Sequence, residues 1–227
     1  MQIKFHGHAC VAIEGSKKIV IDPFLTGNPL TKTAPEEVLA DYILVTHAHK
    51  DHLGDTVEIA KATGAKVICV PEIECYLKNQ GCCNFHTMNI GGAFTFPDGF
   101  KVKMTQAWHS SSLPDGTNCG IACGFLFWLD NICYYHAGDT GLFGDIGKTI
   151  GKHEINVAFL PIGGNFTMGP VDAMIATGWL DPDFVIPIHY NTFDVISQDP
   201  EAFKDSVESR TDSTCIILAP GENYLLK

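Results

Sequence analysis

Nothing in the 227 residues is long and apolar enough to serve as a membrane span; the longest hydrophobic runs have the length of strands. The opening Met1-Gln2-Ile3-Lys4 passes straight into a strand pattern with no signal sequence, so a cytoplasmic protein is expected. No Cys-x-x-Cys occurs among the nine cysteines, their number is odd, and Cys69, Cys123, Cys133 and Cys215 sit inside apolar runs. That argues against a disulfide scaffold and for small buried hydrophobes kept reduced, with Cys82-Cys83 and Cys119/Cys123 left as redox candidates. A basic patch is also missing. The formal charge is -11 and the lysines are scattered, so long nucleic acid, which would need a local basic patch, is not expected as a partner. Without a linker, low-complexity tract or clean repeat, the chain reads as a single domain over 1–227. Its 45% hydrophobic and 18% charged residues are those of a globular protein with a sizeable core.

What is present alternates between β-rich and α/β stretches. Stretches that alternate or run apolar from Gln2 to Cys10 and again from Cys10 to Glu14, a turn at Glu14-Gly15-Ser16-Lys17 and the run Lys18-Ile19-Val20-Ile21 predict an opening hairpin. A short helix is expected at Pro35–Leu39, then a strand at Tyr42–Val45, a helix over Asp55–Thr63 stopped by Gly64, a strand at Val67–Val70 and a helix from Pro71 to Gln80. Phe94–Phe96 with Phe100–Met104, and Ile121–Leu129 with Ile132–Tyr135, read as hairpins. Leu142–Ile150 is a poor helix. Beyond it come a strand at Asn156–Pro161, a helix at Val171–Trp179, a strand at Phe184–Ile188, a helix at Glu201–Val207, and Cys215–Leu218 with Tyr224–Leu226 around Gly221-Glu222. Two mixed sheets with helices outside bury such a pattern, an α/β architecture.

The chemistry gathers in Thr46-His47-Ala48-His49-Lys50-Asp51-His52-Leu53-Gly54-Asp55, on the loop after the strand Tyr42–Val45. Imidazole and carboxylate donors suit zinc, iron or manganese, and no thiolate is there to demand a soft, closed site. Spaced as His-x-His and then Asp-His, these side chains cannot all converge on one ion from a tight loop, so two ions side by side fit better.

That string resembles the signature of the metallo-β-lactamase superfamily. Later motifs match it in order: Ala107-Trp108-His109-Ser110, Ala137-Gly138-Asp139-Thr140 and Pro187-Ile188-His189-Tyr190. With Phe5-His6-Gly7-His8 and Gly163-Gly164-Asn165-Phe166-Thr167-Met168-Gly169-Pro170, the resemblance sharpens to the small stand-alone metal-dependent hydrolases grouped with ascorbate-phosphate lactonase-like proteins. It implies a four-layer αβ/βα sandwich, two mixed sheets face to face with helices outside. It also implies one ion on His47, His49 and His109, a second on Asp51, His52 and His189, and Asp139 bridging both. Two divalent ions are expected, zinc first, with manganese, iron or nickel as alternatives. A hydroxide between them is a nucleophile at neutral pH, Asp51 accepts a hydrogen bond from it, and the reaction is metal-assisted hydrolysis.

Around these ligands the residues leave alternatives. His8 either protonates a leaving group or binds an anion, or is a strand-end histidine paired with a carbonyl. Asp22 either holds a ligand imidazole or caps the turn at Asp-Pro. His136 either supports the site or packs, and His86 and His153 are expected on the surface. The Gly163–Pro170 loop either offers N–H groups to an anion, with Asn165 and Thr167 as substrate contacts, or is plain turn chemistry. A short chain without a substrate domain favours a small soluble substrate, with lactone, ester and phosphodiester open and a homo-oligomer allowed. A non-catalytic metal-binding or regulatory module on the same fold is the alternative.

Overall fold

Apolar alternation from Gln2 onward becomes the first strands of a computed structural model that describes residues 1–226. The chain divides into two units, one of Met1–Gly92, Ser110–Ala122 and the residues from Ala219 on, the other of Ala93–His109 and Cys123–Leu218. Each unit holds one seven-stranded mixed sheet among the described residues, so the expected α/β class with two mixed sheets and helices is found.

In the first unit β1 (Gln2–Gly7), β2 (Cys10–Glu14) and β3 (Lys18–Ile21) form an antiparallel meander. This corrects the expected single hairpin. The chain already reverses at His8-Ala9, just before the junction at Cys10, where Gly7 (φ 102°) and His8 (φ 58°) adopt left-handed backbone. The sheet then continues in parallel through β4 (Tyr42–Leu44), β5 (Lys66–Cys69) and β6 (Phe85–Thr87). Between these lie α1 (Lys50–Leu53), α2 (Thr56–Thr63) and α3 (Pro71–Asn79). Gly64 (φ 72°) closes α2 by donating its N–H to the Ala60 carbonyl, and α3 buries Ile73 and Leu77, four residues apart on one face. The Pro35 segment is a single 3-10 turn, Pro35–Glu37. Strand β6 escaped the sequence reading because three residues are too few to show a period.

The second unit repeats this plan. An antiparallel meander of β7 (Ala93–Thr95), β8 (Lys101–Gln106), β9 (Cys123–Leu129) and β10 (Ile132–His136) leads into parallel β11 (Val157–Pro161), β12 (Phe184–Ile188) and β13 (Thr214–Cys215). Helices α4 (Ile146–Thr149), α5 (Pro170–Leu180) and α6 (Pro200–Arg210) bring Ile146, Ala173, Ala176, Leu180, Phe203 and Val207 into one core with Leu126, Tyr135, Ala158 and Leu160 of the strands. Asp199 caps α6 by accepting the N–H groups of Glu201 and Ala202, at 3.0 and 3.2 Å. The C-terminal segments are not neighbours. Whereas β13 joins β12, the last strand, β14 (Asn223–Leu225), pairs with β1 in the first unit's sheet. No helix among the described residues is long and apolar enough to cross a membrane.

His6, on β1, is buried, with Nδ1 3.2 Å from Thr33 Oγ1. Burial, and secondarily the charge of Lys4, lower its pKa from 6.5 to about 4. The unfolded chain therefore takes up this proton first. The contribution to stability is complete above about pH 6.5 and is lost as pH falls toward about 4. His6→Gln, compared with wild type in urea melts at pH 7 and pH 4.5, is expected to remove about 2 kcal/mol of the acid-induced loss. Parallel acid limbs in the two proteins would refute it.

Candidate metal centre

The sequence places four of the expected ligands on one loop, and the backbone divides that loop in two. His47 follows β4 in irregular chain, whereas Asp51 and His52 lie on α1, a one-turn helix entered at His49 (φ -61°, ψ 147°). The expectation of a plain loop is corrected there: the His49 carbonyl accepts the N–H groups of His52 and Leu53.

Asp22, at the end of β3, is fully buried with φ 45°. Its Oδ1 accepts the Thr46 N–H at 2.8 Å, while its Oδ2 accepts the Thr46 hydroxyl at 2.6 Å. His52 Nδ1 stands 2.8 Å from the same Oδ2. A carboxylate only accepts, so His52 Nδ1 carries the proton and Nε2 keeps its lone pair. The Thr46 hydroxyl has one proton, given to Asp22, so toward His47 Nδ1 at 2.9 Å it accepts. His47 is thereby set in the same tautomer, with its Nε2 unprotonated, the state in which an imidazole nitrogen can ligate. One carboxylate thus orients two imidazoles.

The donor atoms cluster accordingly. His47 Nε2 and His49 Nδ1 are 3.0 Å apart, and His49 Nε2 is 3.4 Å from Ser110 Oγ. Two nitrogens on one tetrahedral zinc ion, each at ~2.0–2.1 Å, stand about 3.3 Å apart, so the His47–His49 spacing fits a shared cation. One donor atom each of His8, Asp51 and His52 also lies within 4.8 Å of the others. Buried His8 puts Nε2 3.1 Å from Asp51 Oδ2 and its ring centroid 5.4 Å from that of His52.

The second unit carries a matching set on loops that follow β8, β10 and β12. Asp139 Oδ2 lies 3.0 Å from His189 Nε2 and 3.5 Å from His109 Nε2. His136 is buried; its Nδ1 accepts the Gly138 N–H at 3.1 Å, so it braces the loop that bears Asp139. His189 is held at φ 55°, which with His8 and Asp22 makes three positive-φ residues in these clusters, at a cost of roughly 1–3 kcal/mol each. Asn165 is exposed at φ 31°, and Thr167 spends its hydroxyl proton on the Met168 carbonyl at 3.2 Å. Gly164, Thr167 and Met168 donate their N–H groups to Met168, Gly164 and Thr140 carbonyls, which leaves these three unavailable to an anion and fits turn chemistry.

Residues that carried no expected role complete the frame. Besides Thr46, these are Asp55, whose Oδ2 accepts the Leu25 and Thr26 N–H groups at 2.8 Å, and Ser111, whose hydroxyl accepts the Ala48 N–H at 3.2 Å. Thr46 and Asp55 flank the histidine motif, so proximity in sequence was the available signal. His86 and His153 are half-buried rather than on the surface, which lowers the pKa of both. Every cysteine is free, and burial raises the thiol pKa of Cys82 and Cys119, against their redox reading.

Asp22→Asn tests the orienting role. An amide cannot accept in all three directions with the same charge, so metal affinity is expected to fall about 10–100-fold in a chelator competition. Unchanged affinity would remove Asp22 from the site.

Residues 2–189 match the family model described as a beta-lactamase superfamily domain. A UPF0173 metal-dependent hydrolase of Pelotomaculum thermopropionicum is 51% identical over 231 residues, covering 100% of both chains. Its counterpart from Thermococcus kodakarensis is 49% identical over 228 residues, again with 100% of both covered. The solved structure of Igni18, a novel metallo hydrolase from the hyperthermophilic archaeon Ignicoccus hospitalis, superposes with a TM-score of 0.90 at 38% identity, covering 100% of this chain and 99% of that one.

Proposed function

The chain belongs to the UPF0173 metal-dependent hydrolases of the β-lactamase superfamily, and from that premise we propose that it uses two divalent ions to hydrolyse a small ester, lactone or phosphodiester. Following the family's residue pattern, His47, His49 and His109 would hold one ion and Asp51, His52 and His189 the other, with Asp139 serving both. Zinc is the first choice, with manganese, iron or nickel compatible with the same donors. What supports the reading most is the Asp22–Thr46 hydrogen-bond chain, which fixes the tautomers of His47 and His52 with Nδ1 protonated and Nε2 unprotonated in both.

Bound ions supply an acidified water at neutral pH and positive charge for the leaving oxygen. Asp51 accepts the proton of the attacking water, and its partly exposed side chain can pass that proton outward. His8 acts through Asp51, holding Oδ2 at 3.1 Å. Asn165 is a polar substrate contact. The proposed setting is cytoplasmic, with a small-molecule partner, no long nucleic acid and no membrane, as a monomer or homo-oligomer.

The test is metal analysis of reconstituted protein together with hydrolysis of matched lactones, thioesters and a simple phosphodiester, with Asp51→Ala as the blank. Two equivalents of metal and turnover of one class, lost in the variant, are expected. Two equivalents of metal with no turnover above the variant would sink the hydrolytic reading and favour a binding module.

A further inference from the structure

The loops of the second unit that bear His109, Asp139 and His189, together with the loop after β11, carry large apolar side chains in the open. Trp108 is 62% exposed, Phe166 55%, Phe193 43% and Val195 55%. A solvated aromatic normally sits on mobile chain, but Trp108 does not. Its N–H donates to Thr140 Oγ1 at 2.9 Å, its carbonyl accepts the Gly141 N–H at 3.2 Å, and its ring stacks on Phe143 at 6.4 Å and 13°. Thr140, the neighbour of Asp139, also ties down the Phe166 loop, since its carbonyl accepts the Met168 N–H at 2.9 Å. Exposed aromatics fixed to a ligand loop are pre-organised to bind, because little side-chain freedom is lost when they are covered.

Charge points the same way. The loops after β8, β10, β11 and β12 within this unit contain no Lys or Arg through residues 107–109, 137–145, 162–169 and 189–199, and they carry Asp145, Asp194 and Asp199 besides Asp139. Lys50, beside His49 in sequence, is exposed. A site for phosphate esters would be expected to offer fixed cations or free N–H donors to the non-reacting oxygens; three N–H groups of the Gly163–Pro170 loop are already spent internally.

We propose that the substrate is uncharged, a carbonyl compound with an aryl or acyl arm that packs on Trp108 and Phe166. This rests on the hydrolase reading and narrows it, removing the phosphodiester. The bond cleaved is the acyl bond: water adds its oxygen to the carbonyl carbon, and the leaving heteroatom departs with the proton that water releases.

Binding to zinc-loaded protein tests it by calorimetry with acetohydroxamate, phenylacetohydroxamate, inorganic phosphate and phenyl phosphate. The phenyl arm is expected to tighten the hydroxamate about tenfold or more in wild type. In Trp108→Ala and Phe166→Ser the gain is expected to shrink to less than about threefold, with zinc content unchanged and partial recovery in Trp108→Phe. Phenyl phosphate is expected to bind no more tightly than inorganic phosphate. If acetohydroxamate binds and the arm adds nothing, or if phenyl phosphate binds most tightly, the substrate class is wrong while the metal centre stands. If sedimentation shows Trp108→Ala dissociating an oligomer and the arm's gain is unaltered, the patch belongs to a second copy of the chain and the proposal is overturned. Failure to retain zinc and to bind either hydroxamate overturns the metal reading and this one together.

Discussion

Asp51→Ala is expected to lower kcat by about 10³-fold while the protein stays folded. Asp51 sits in the first turn of α1 with a side chain 32% exposed, so its removal leaves no sealed cavity. Its loss removes the carboxylate proposed above to take the water's proton, and it takes from His8 Nε2 a partner at 3.1 Å. Asp51→Asn separates these roles. The amide oxygen can still accept from His8, but it neither carries charge nor takes a proton. Both variants are expected to lose turnover to a similar extent, measured as kcat on the best substrate at matched metal content. If Asn retains a third or more of wild-type kcat, Asp51 works by holding His8 and not as a base.

Gly54→Ala is expected to cost about 4 kcal/mol or more, lowering Tm by roughly 10 °C, and to lose metal with it. Gly54 closes α1 at φ 42°, ψ -128°, backbone that a residue with a Cβ rarely adopts. A Cβ there would meet the Pro23 carbonyl oxygen at 2.3 Å and Phe24 Cα at 2.8 Å, both backbone atoms that cannot swing aside. The same Pro23 carbonyl accepts the Asp55 N–H at 2.8 Å, so pushing it away also breaks the bond that ties the metal loop to the Asp22 turn. Thermal melts with metal analysis decide it; a variant within about 1 kcal/mol of wild type would show that the two segments can separate freely.

Much of this protein was legible in the residues alone. Helices stopped by Gly64 or Gly81 or opened by Pro170 are legible because backbone preference is local, and they appear within a residue or two of their expected bounds. The family follows from ordered short motifs, and the resemblance to small metal-dependent hydrolases of this superfamily is borne out by relatives near 50% identity. Imidazole and carboxylate chemistry is likewise a property of residue type, which needs no fold to be recognised.

Tertiary structure decided what depends on direction and approach. Sequence names Asp22 but cannot tell a turn cap from a support for His52, since that choice is a 2.8 Å contact across 30 positions. Neither the reversal at His8-Ala9, which needs φ 58° at a histidine, nor the separate partners of β13 and β14 leaves a periodic trace. Trp108 has no role in the sequence beyond its place before His109; its exposure and the bond of its backbone N–H to Thr140 come from the fold. The sequence by itself determined which atoms could hold metal and which family the chain joins, because donor chemistry and motif order are carried in the residues. Only the folded chain decided which ring nitrogens carry protons, where glycine is compulsory and which aromatics stand in the open, because those are matters of a few ångströms between residues far apart in sequence.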